Sequence, residues 1–234
     1  QKSTHIPSMA KKEQNAPETT GLDTVNDSLT AVTRKVQDNR KTIVIVSCIV
    51  VAIAVIILAY VYFFRNPGMQ KNNDNIGKAD LQLALGNDSI ALKQYTDIAD
   101  NGSFEASNRA ALQSAILLYQ DGKYEDALKY VEKYSSRDDI IGAGALSLKG
   151  DCYVNLDKLD KAVDAYKDAI KASDENPAYT PYFMMKLARV YRAQANFADE
   201  AKLLEEIQKV YPLYGQQHNI DIEKLLDRAR LQAK

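Results

Sequence analysis

Short stretches in the C-terminal two thirds of the chain repeat at a spacing of about 35 residues. Ala127, within the stretch GKYEDALKY, matches Ala162, within DKLDKAVDAY, at a separation of 35 residues. Weaker copies surround Ala91, which lies 36 residues before Ala127, and residues 195–201 further along the chain. A repeat of this length predicts stacked supersecondary units, each burying its apolar face against its neighbours.

The residue pattern within each copy resembles the tetratricopeptide repeat, a helix–turn–helix unit of about 34 residues. The second full copy carries small and aromatic residues where that family has them, namely Gly150, Tyr153, Ala162, Tyr166 and Ala169. Small residues let two helices approach closely, and aromatic rings fill the space between units. The resemblance implies an all-α fold, with a short right-handed solenoid and a concave face.

Four helix pairs and a final helix are predicted within a repeat domain over residues 73–234. Their expected bounds are 73–101, 105–135, 142–172, 180–211 and 218–232. Residues 173–181 are expected to form an insertion between the third and fourth pairs. Glu200 stands where the family has alanine, so the fourth pair is expected to be offset by one residue.

Residues 42–64 form a run of 23 residues without a charged side chain. As a helix this run extends roughly 34 Å, enough to cross a hydrocarbon core of about 30 Å. It is too long and too uniformly apolar for a core helix or for a cleaved signal peptide. The sequence therefore predicts a transmembrane helix, with Cys48 as an ordinary small residue in it.

The segments around this run have different compositions. Residues 1–30 are polar with few large apolar side chains, so a disordered tail is predicted, and Met9 is a candidate start residue. Residues 31–41 are amphipathic and are expected to lie along the membrane surface. A turn at Arg65-Asn66-Pro67-Gly68 is expected to open a short linker over 65–72.

Basic residues near the ends of the run indicate its orientation. Four precede it and three follow it: Arg34, Lys35, Arg40 and Lys41, then Arg65, Lys71 and Lys78. This bias favours an N-terminus in the cytoplasm. The sequence therefore predicts a single-pass membrane protein whose repeat domain lies across the membrane, which is the periplasm of a bacterial inner membrane if the source is a diderm bacterium.

The residues do not form a pattern typical of an enzyme. His5 and His218 are the only histidines, and no phosphate-binding glycine loop or metal-ligand spacing is present in the sequence. From residue 66 onward, 22 basic residues face 26 acidic ones, which argues against a nucleic-acid partner. We expect no catalytic site, no metal and no cofactor.

The phase of the repeat predicts which residues of the first helices face a protein-binding groove. These are Tyr119, Asp151, Tyr182, Met185, Arg189 and Arg192. Arg189 and Arg192 lie three residues apart on one helix face, where they can bind an acidic group. The alternative is that they pair with neighbouring Asp or Glu side chains.

The whole layout, from about Lys35 to the C-terminus, resembles the YfgM-like family of ancillary subunits of the bacterial SecYEG translocon. The resemblance rests on the single span, the brief linker and the alanine and aromatic repeat pattern, including the stretch YEDAL at 124–128. It implies a non-enzymatic scaffold or chaperone-like accessory that assists secreted proteins as they emerge. The implied partners are translocon subunits, a membrane-bound prolyl isomerase chaperone and unfolded secreted clients.

Two other classes of function fit the same sequence. One is a scaffold subunit of another envelope assembly or secretion complex, and the other is a regulatory membrane anchor whose tail carries a signal. An organelle import receptor is a further alternative, and it would place the repeats in the cytosol.

Overall fold

The computed structural model describes residues 40–102, 104–135 and 139–234, and the described residues are helical without any strand. The predictions for the tail (1–30) and for 31–39 of the juxtamembrane segment lie outside these residues. The chain divides into two units, 1–62 and 63–234. The all-α fold predicted from the repeat is confirmed.

The first unit contains α1, Arg40–Tyr60, which corresponds to the apolar run. None of its residues is buried, and large side chains such as Ile49, Val55 and Leu58 are more than half exposed. It belongs to the one helix in the described part of the chain that is long and apolar enough to cross a membrane.

The expected turn and linker over 65–72 are wrong, because these residues are helical. A π-helical turn, Val61–Arg65, precedes α2, Asn66–Ala84, and Pro67 lies in the first turn of α2. Proline is tolerated there because the first backbone N–H groups of a helix have no intrahelical acceptor.

The second unit is a series of helix pairs followed by a short helix and a terminal helix. The pairs are α2 with α3 (Asp88–Asn101), α4 (Phe104–Gln120) with α5 (Tyr124–Lys133), α6 (Asp139–Asn155) with α7 (Leu159–Ala172), and α8 (Thr180–Ala193) with α9 (Phe197–Val210). Then follow α10 (Tyr214–Gln217) and α11 (Ile222–Gln232). From α2 to α9 each helix packs against the next one along the chain, and α11 packs against α9.

The same turn joins the two helices of every pair. Its left-handed residue is Gly86, Gly122, Asp157 or Ala195, with φ between 55° and 76°. The residue after it donates its N–H to a carbonyl five residues back, as Lys123 does to Leu118 at 2.9 Å. This is the Schellman arrangement of a helix C-terminus.

The expected one-residue offset of the fourth pair is wrong. Counting five residues on from each left-handed turn residue reaches Ala91, Ala127, Ala162 and Glu200, and all four are fully buried. Glu200 therefore occupies the alanine position itself. Both Nε and Nη2 of Arg192 donate to its Oε1, so the buried carboxylate is paired across the turn.

The third pair depends on a residue without a side chain. A Cβ atom at Gly150 would lie 2.6 to 2.9 Å from three carbons of the Tyr166 ring. Such distances are well below van der Waals contact, so α6 and α7 approach closely only because Gly150 is glycine.

We therefore expect Gly150→Ala to lower the free energy of unfolding by about 1 to 3 kcal/mol, since the methyl group overpacks the helix crossing. Urea unfolding of the full chain in detergent micelles, followed by circular dichroism, measures this change. Gly144→Ala is the matched control, because Gly144 lies in the same helix with no atom within 4 Å of its Cβ position. The control should gain about 0.5 to 1 kcal/mol from helix propensity. Equal effects at the two positions would contradict the packing argument.

Candidate protein-binding face

Polar contacts join the first helices of successive pairs along one side of the repeat domain. Arg109 on α4 lies 2.7 Å from Asp80 on α2, and Lys186 on α8 lies 2.5 Å from Asp151 on α6. Between them, Asn155 on α6 donates a hydrogen bond of 3.2 Å to the Tyr119 hydroxyl on α4. We call this side the first-helix face and define it by six residues: Asp80, Tyr119, Asp151, Tyr182, Lys186 and Arg189.

Asp151 is held by its own domain. It accepts hydrogen bonds of 2.5 Å from the Tyr166 hydroxyl and from the Lys186 ammonium group, and its side chain is 20% exposed. Burial and the negative charge of Asp151 raise the pKa of Tyr166 well above its usual value, so the phenol stays protonated as a donor. Asp151 therefore orders the third pair against the fourth and has little capacity left for a ligand.

The first pair contains an equivalent arrangement. Asp80 accepts a hydrogen bond of 2.6 Å from the Tyr95 hydroxyl and pairs with Arg109. Burial, followed by the hydrogen bond to Asp80, raises the pKa of Tyr95 above its usual value. The carboxylates at this repeat position thus join the first pair to the second and the third pair to the fourth.

Tyr119 and Tyr182 differ in how much of each ring a partner can reach. Tyr119 is half-buried, and its ring centroid lies 5.4 Å from that of Tyr124. Burial, and then the charge of Asp151, raises the pKa of the Tyr119 hydroxyl. Tyr182 is 44% exposed, and the Lys186 ammonium group lies 4.9 Å from its ring centroid. Tyr182 is thus the more accessible aromatic surface on α8.

Two of the six residues predicted for the groove have other roles. Met185 is only 5% exposed and lies in a core cluster with Ala188 and Tyr214. Arg192 pairs with Glu200, in line with the alternative in which the arginines bind neighbouring acids. Neither side chain is therefore available to bind a partner in the predicted groove.

Arg189 is exposed and makes no ion pair or hydrogen bond with any described residue. It follows Tyr182 by seven residues and Lys186 by three, so the three side chains share one face of α8. The sequence prediction missed Lys186, although its spacing of four from Tyr182 was a usable signal. It also missed Tyr214, which lies after the fourth pair and has no counterpart in the repeats.

The second helices form grooves of their own. A cavity of about 470 Å³ lies between α7 and α9 and includes Lys167, Ile170, Leu187 and Leu203 in its lining. A smaller cavity, of about 380 Å³, lies between α3 and α5 beside Tyr130. Both are open surface grooves, and nothing in them singles out a ligand.

The described residues contain no cluster of three or more His, Cys, Asp or Glu side chains that could hold a metal ion. Cys152 is fully buried, and burial raises the pKa of its thiol to about 11. Because the thiolate is the reactive form, this cysteine is a core residue in its present surroundings. The chemistry that the first-helix face offers is hydrogen bonding, charge pairing and aromatic contact.

Comparison with known structures returns helical-repeat proteins. The crystal structure of MamA protein aligns with a TM-score of 0.50 at 17% identity, covering 69% of this chain and 87% of that one. The Podosopora anserina putative kinesin light chain, with nearly identical TPR-like repeats, aligns with a TM-score of 0.48 at 15% identity over 69% and 94% of the two chains. No curated protein matches the sequence.

The tetratricopeptide repeat-like domain family matches residues 71–192, just over half of the 234 residues. This span runs from α2 through most of α8 and contains the left-handed turns at Gly86, Gly122 and Asp157. The chain belongs to the tetratricopeptide repeat-like domain family.

Proposed function

We propose that this protein is anchored in a membrane by α1 and binds partner proteins, without catalysis, on its first-helix face. Repeat domains of this family imply protein partners, because stacked helix pairs present an extended surface. The observation that carries the proposal is the exposure of Tyr182 and Arg189 on one face of α8. Tyrosine and arginine are enriched among residues that dominate protein–protein binding energy.

The membrane anchor is supported by the exposure of α1. Its large apolar side chains lack a protein core to pack against, and a hydrocarbon layer would bury them. The excess of basic residues at its N-terminal end, including Arg40 and Lys41, favours an N-terminus in the cytoplasm. The repeat domain then lies on the opposite side, which is the periplasm for a bacterial inner membrane.

The finer assignment is an ancillary role at the Sec translocon. It is supported by the resemblance of the layout, a span followed by tetratricopeptide-like pairs, to the YfgM-like subunits. In this role the first-helix face docks translocon subunits, a membrane-bound prolyl isomerase chaperone or the emerging client itself. The tyrosines supply contact area at a low cost in side-chain entropy.

The orientation can be tested by labelling cysteines with a membrane-impermeant maleimide. Native Cys152 should not react, because it is buried with a pKa of about 11, and Cys48 should be shielded within the span. We expect Asp227→Cys, at an exposed position on α11, to be labelled in intact spheroplasts. Ser28→Cys should be labelled only after lysis. The reverse pattern would place the repeats in the cytoplasm.

Partner binding can be tested by affinity purification of the full chain in gentle detergent, with quantitative mass spectrometry. We expect Tyr182→Ala to lower recovery of the partner at least about fivefold, the loss typical of an aromatic contact worth 1 kcal/mol or more. Val210→Ala, at the 53% exposed end of α9, serves as the control and should leave recovery unchanged. Equal recovery with both variants would contradict binding on the first-helix face.

A further inference from the structure

The cations around the first-helix face are paired within the domain, with one exception. Arg109 pairs with Asp80, Lys186 with Asp151 and Arg192 with Glu200. Arg189 is exposed and lacks an acceptor among the described residues. It is therefore the cation at this face that remains available to a partner.

The repeat explains why the domain leaves Arg189 unpaired. Arg189 lies six residues before the left-handed turn residue Ala195, which is the position of Asp80 and Asp151 in the first and third pairs. The charge at this position is therefore reversed in the fourth pair. The second-helix residue that would face it, equivalent to the tyrosines that bind Asp80 and Asp151, is the buried Leu204. A leucine side chain offers the guanidinium no hydrogen bond.

Two tyrosines accompany Arg189. Tyr182 lies two helical turns before it on the same face of α8, and Tyr214 packs against Met185 and Ala188 of that helix. Neither tyrosine hydroxyl makes a hydrogen bond with a described residue. Burial and the proximity of Tyr182 raise the pKa of Tyr214, whereas the positive charge of Arg189 opposes that rise. The guanidinium and the exposed phenol of Tyr182 thus share one face of α8, whereas Tyr214, only 4% exposed, belongs to the core.

We propose that Arg189, on the same face of α8 as Tyr182, binds the side-chain carboxylate of an Asp or Glu in the protein segment that occupies the first-helix face. The inference rests on the proposed function and names the chemistry of its ligand. Charge complementarity selects the occupant, because a guanidinium pairs with a carboxylate through two parallel hydrogen bonds. The repeat region carries more acidic than basic residues, so a polyanion would be repelled overall. Recognition is therefore local, of one acidic residue in a peptide segment.

A random dodecapeptide library displayed on phage tests the proposal with the full chain held in nanodiscs. The peptides are fused through their C-termini, so only side chains supply carboxylates. We expect the selected peptides to share an Asp or Glu at one position. Changing that residue to Asn or Gln in the synthetic, amidated peptide should weaken binding by about tenfold, as for the loss of one charge-assisted pair.

The matched protein variants are Arg189→Gln and Arg228→Gln. Arg228 is also exposed, on α11, and its replacement removes the same charge at a different place. We expect Arg189→Gln to abolish the preference for the acidic peptide over its amide counterpart, and Arg228→Gln to preserve it. Arg189→Lys should retain part of the preference, since it keeps the charge without the fork of donors.

Several outcomes would overturn the inference. In the phage selection, these are the recovery of peptides that share no acidic residue, or the recovery of no binding peptide. With the protein variants, they are a preference for the acidic peptide that survives Arg189→Gln, or an equal loss of that preference with Arg189→Gln and Arg228→Gln. Acid-free peptides that still compete for the face would leave the proposed function intact and remove only the role of Arg189. The proposed binding function is tested separately by affinity purification, where equal recovery of partners with Tyr182→Ala and Val210→Ala would contradict it.

Discussion

Close contact between the two helices of each pair is the constraint on which the rest of the repeat domain depends. Ala91, Ala127 and Ala162 are fully buried, each five residues after the left-handed residue of its turn. A larger side chain at these positions would push the helices apart. The turn sets where the second helix of every pair begins, and in the first three pairs the buried alanine sets how near that helix lies, whereas Glu200 takes this position in the fourth pair. Units built on the same turn can then stack.

Stacking determines which charged groups of the first-helix face are paired within the domain. It brings Asp80 beside Arg109 and Asp151 beside Lys186, and these ion pairs use up most of the charge that the sequence places there. Such partly exposed pairs contribute modestly to stability, but they fix the alignment of one unit on the next. What remains available is concentrated on α8, as Tyr182 and Arg189. The face therefore offers an aromatic ring and, two helical turns further along α8, an unpaired guanidinium.

The helix pairs could be predicted from the sequence because the 35-residue period and the alanine positions report the same packing that forms them. The prediction of a linker at 65–72 was wrong because proline usually indicates a chain turn. Here Pro67 lies at the start of a helix that follows a π-helical segment. The prediction that Met185 faces the groove was wrong because residues beyond the repeats, including Tyr214, cover its side chain. The sequence left two roles for Arg192, because its acceptor, Glu200, stands in the next helix at a position where the family has alanine. Repeat phase gives the direction of a side chain but not what later packs over it.

The central claim is that a membrane-anchored repeat domain binds a protein through its first-helix face. The most direct measurement is photo-crosslinking in living cells, with p-benzoylphenylalanine in place of Tyr182 or, on the second helix of the same pair, of Val210. Both positions are exposed to a similar degree, 44% and 53%. The account predicts a discrete crosslinked protein from position 182, found in the membrane fraction, and none from position 210. Equal crosslinking from the two positions, or crosslinks from 210 alone, would contradict it.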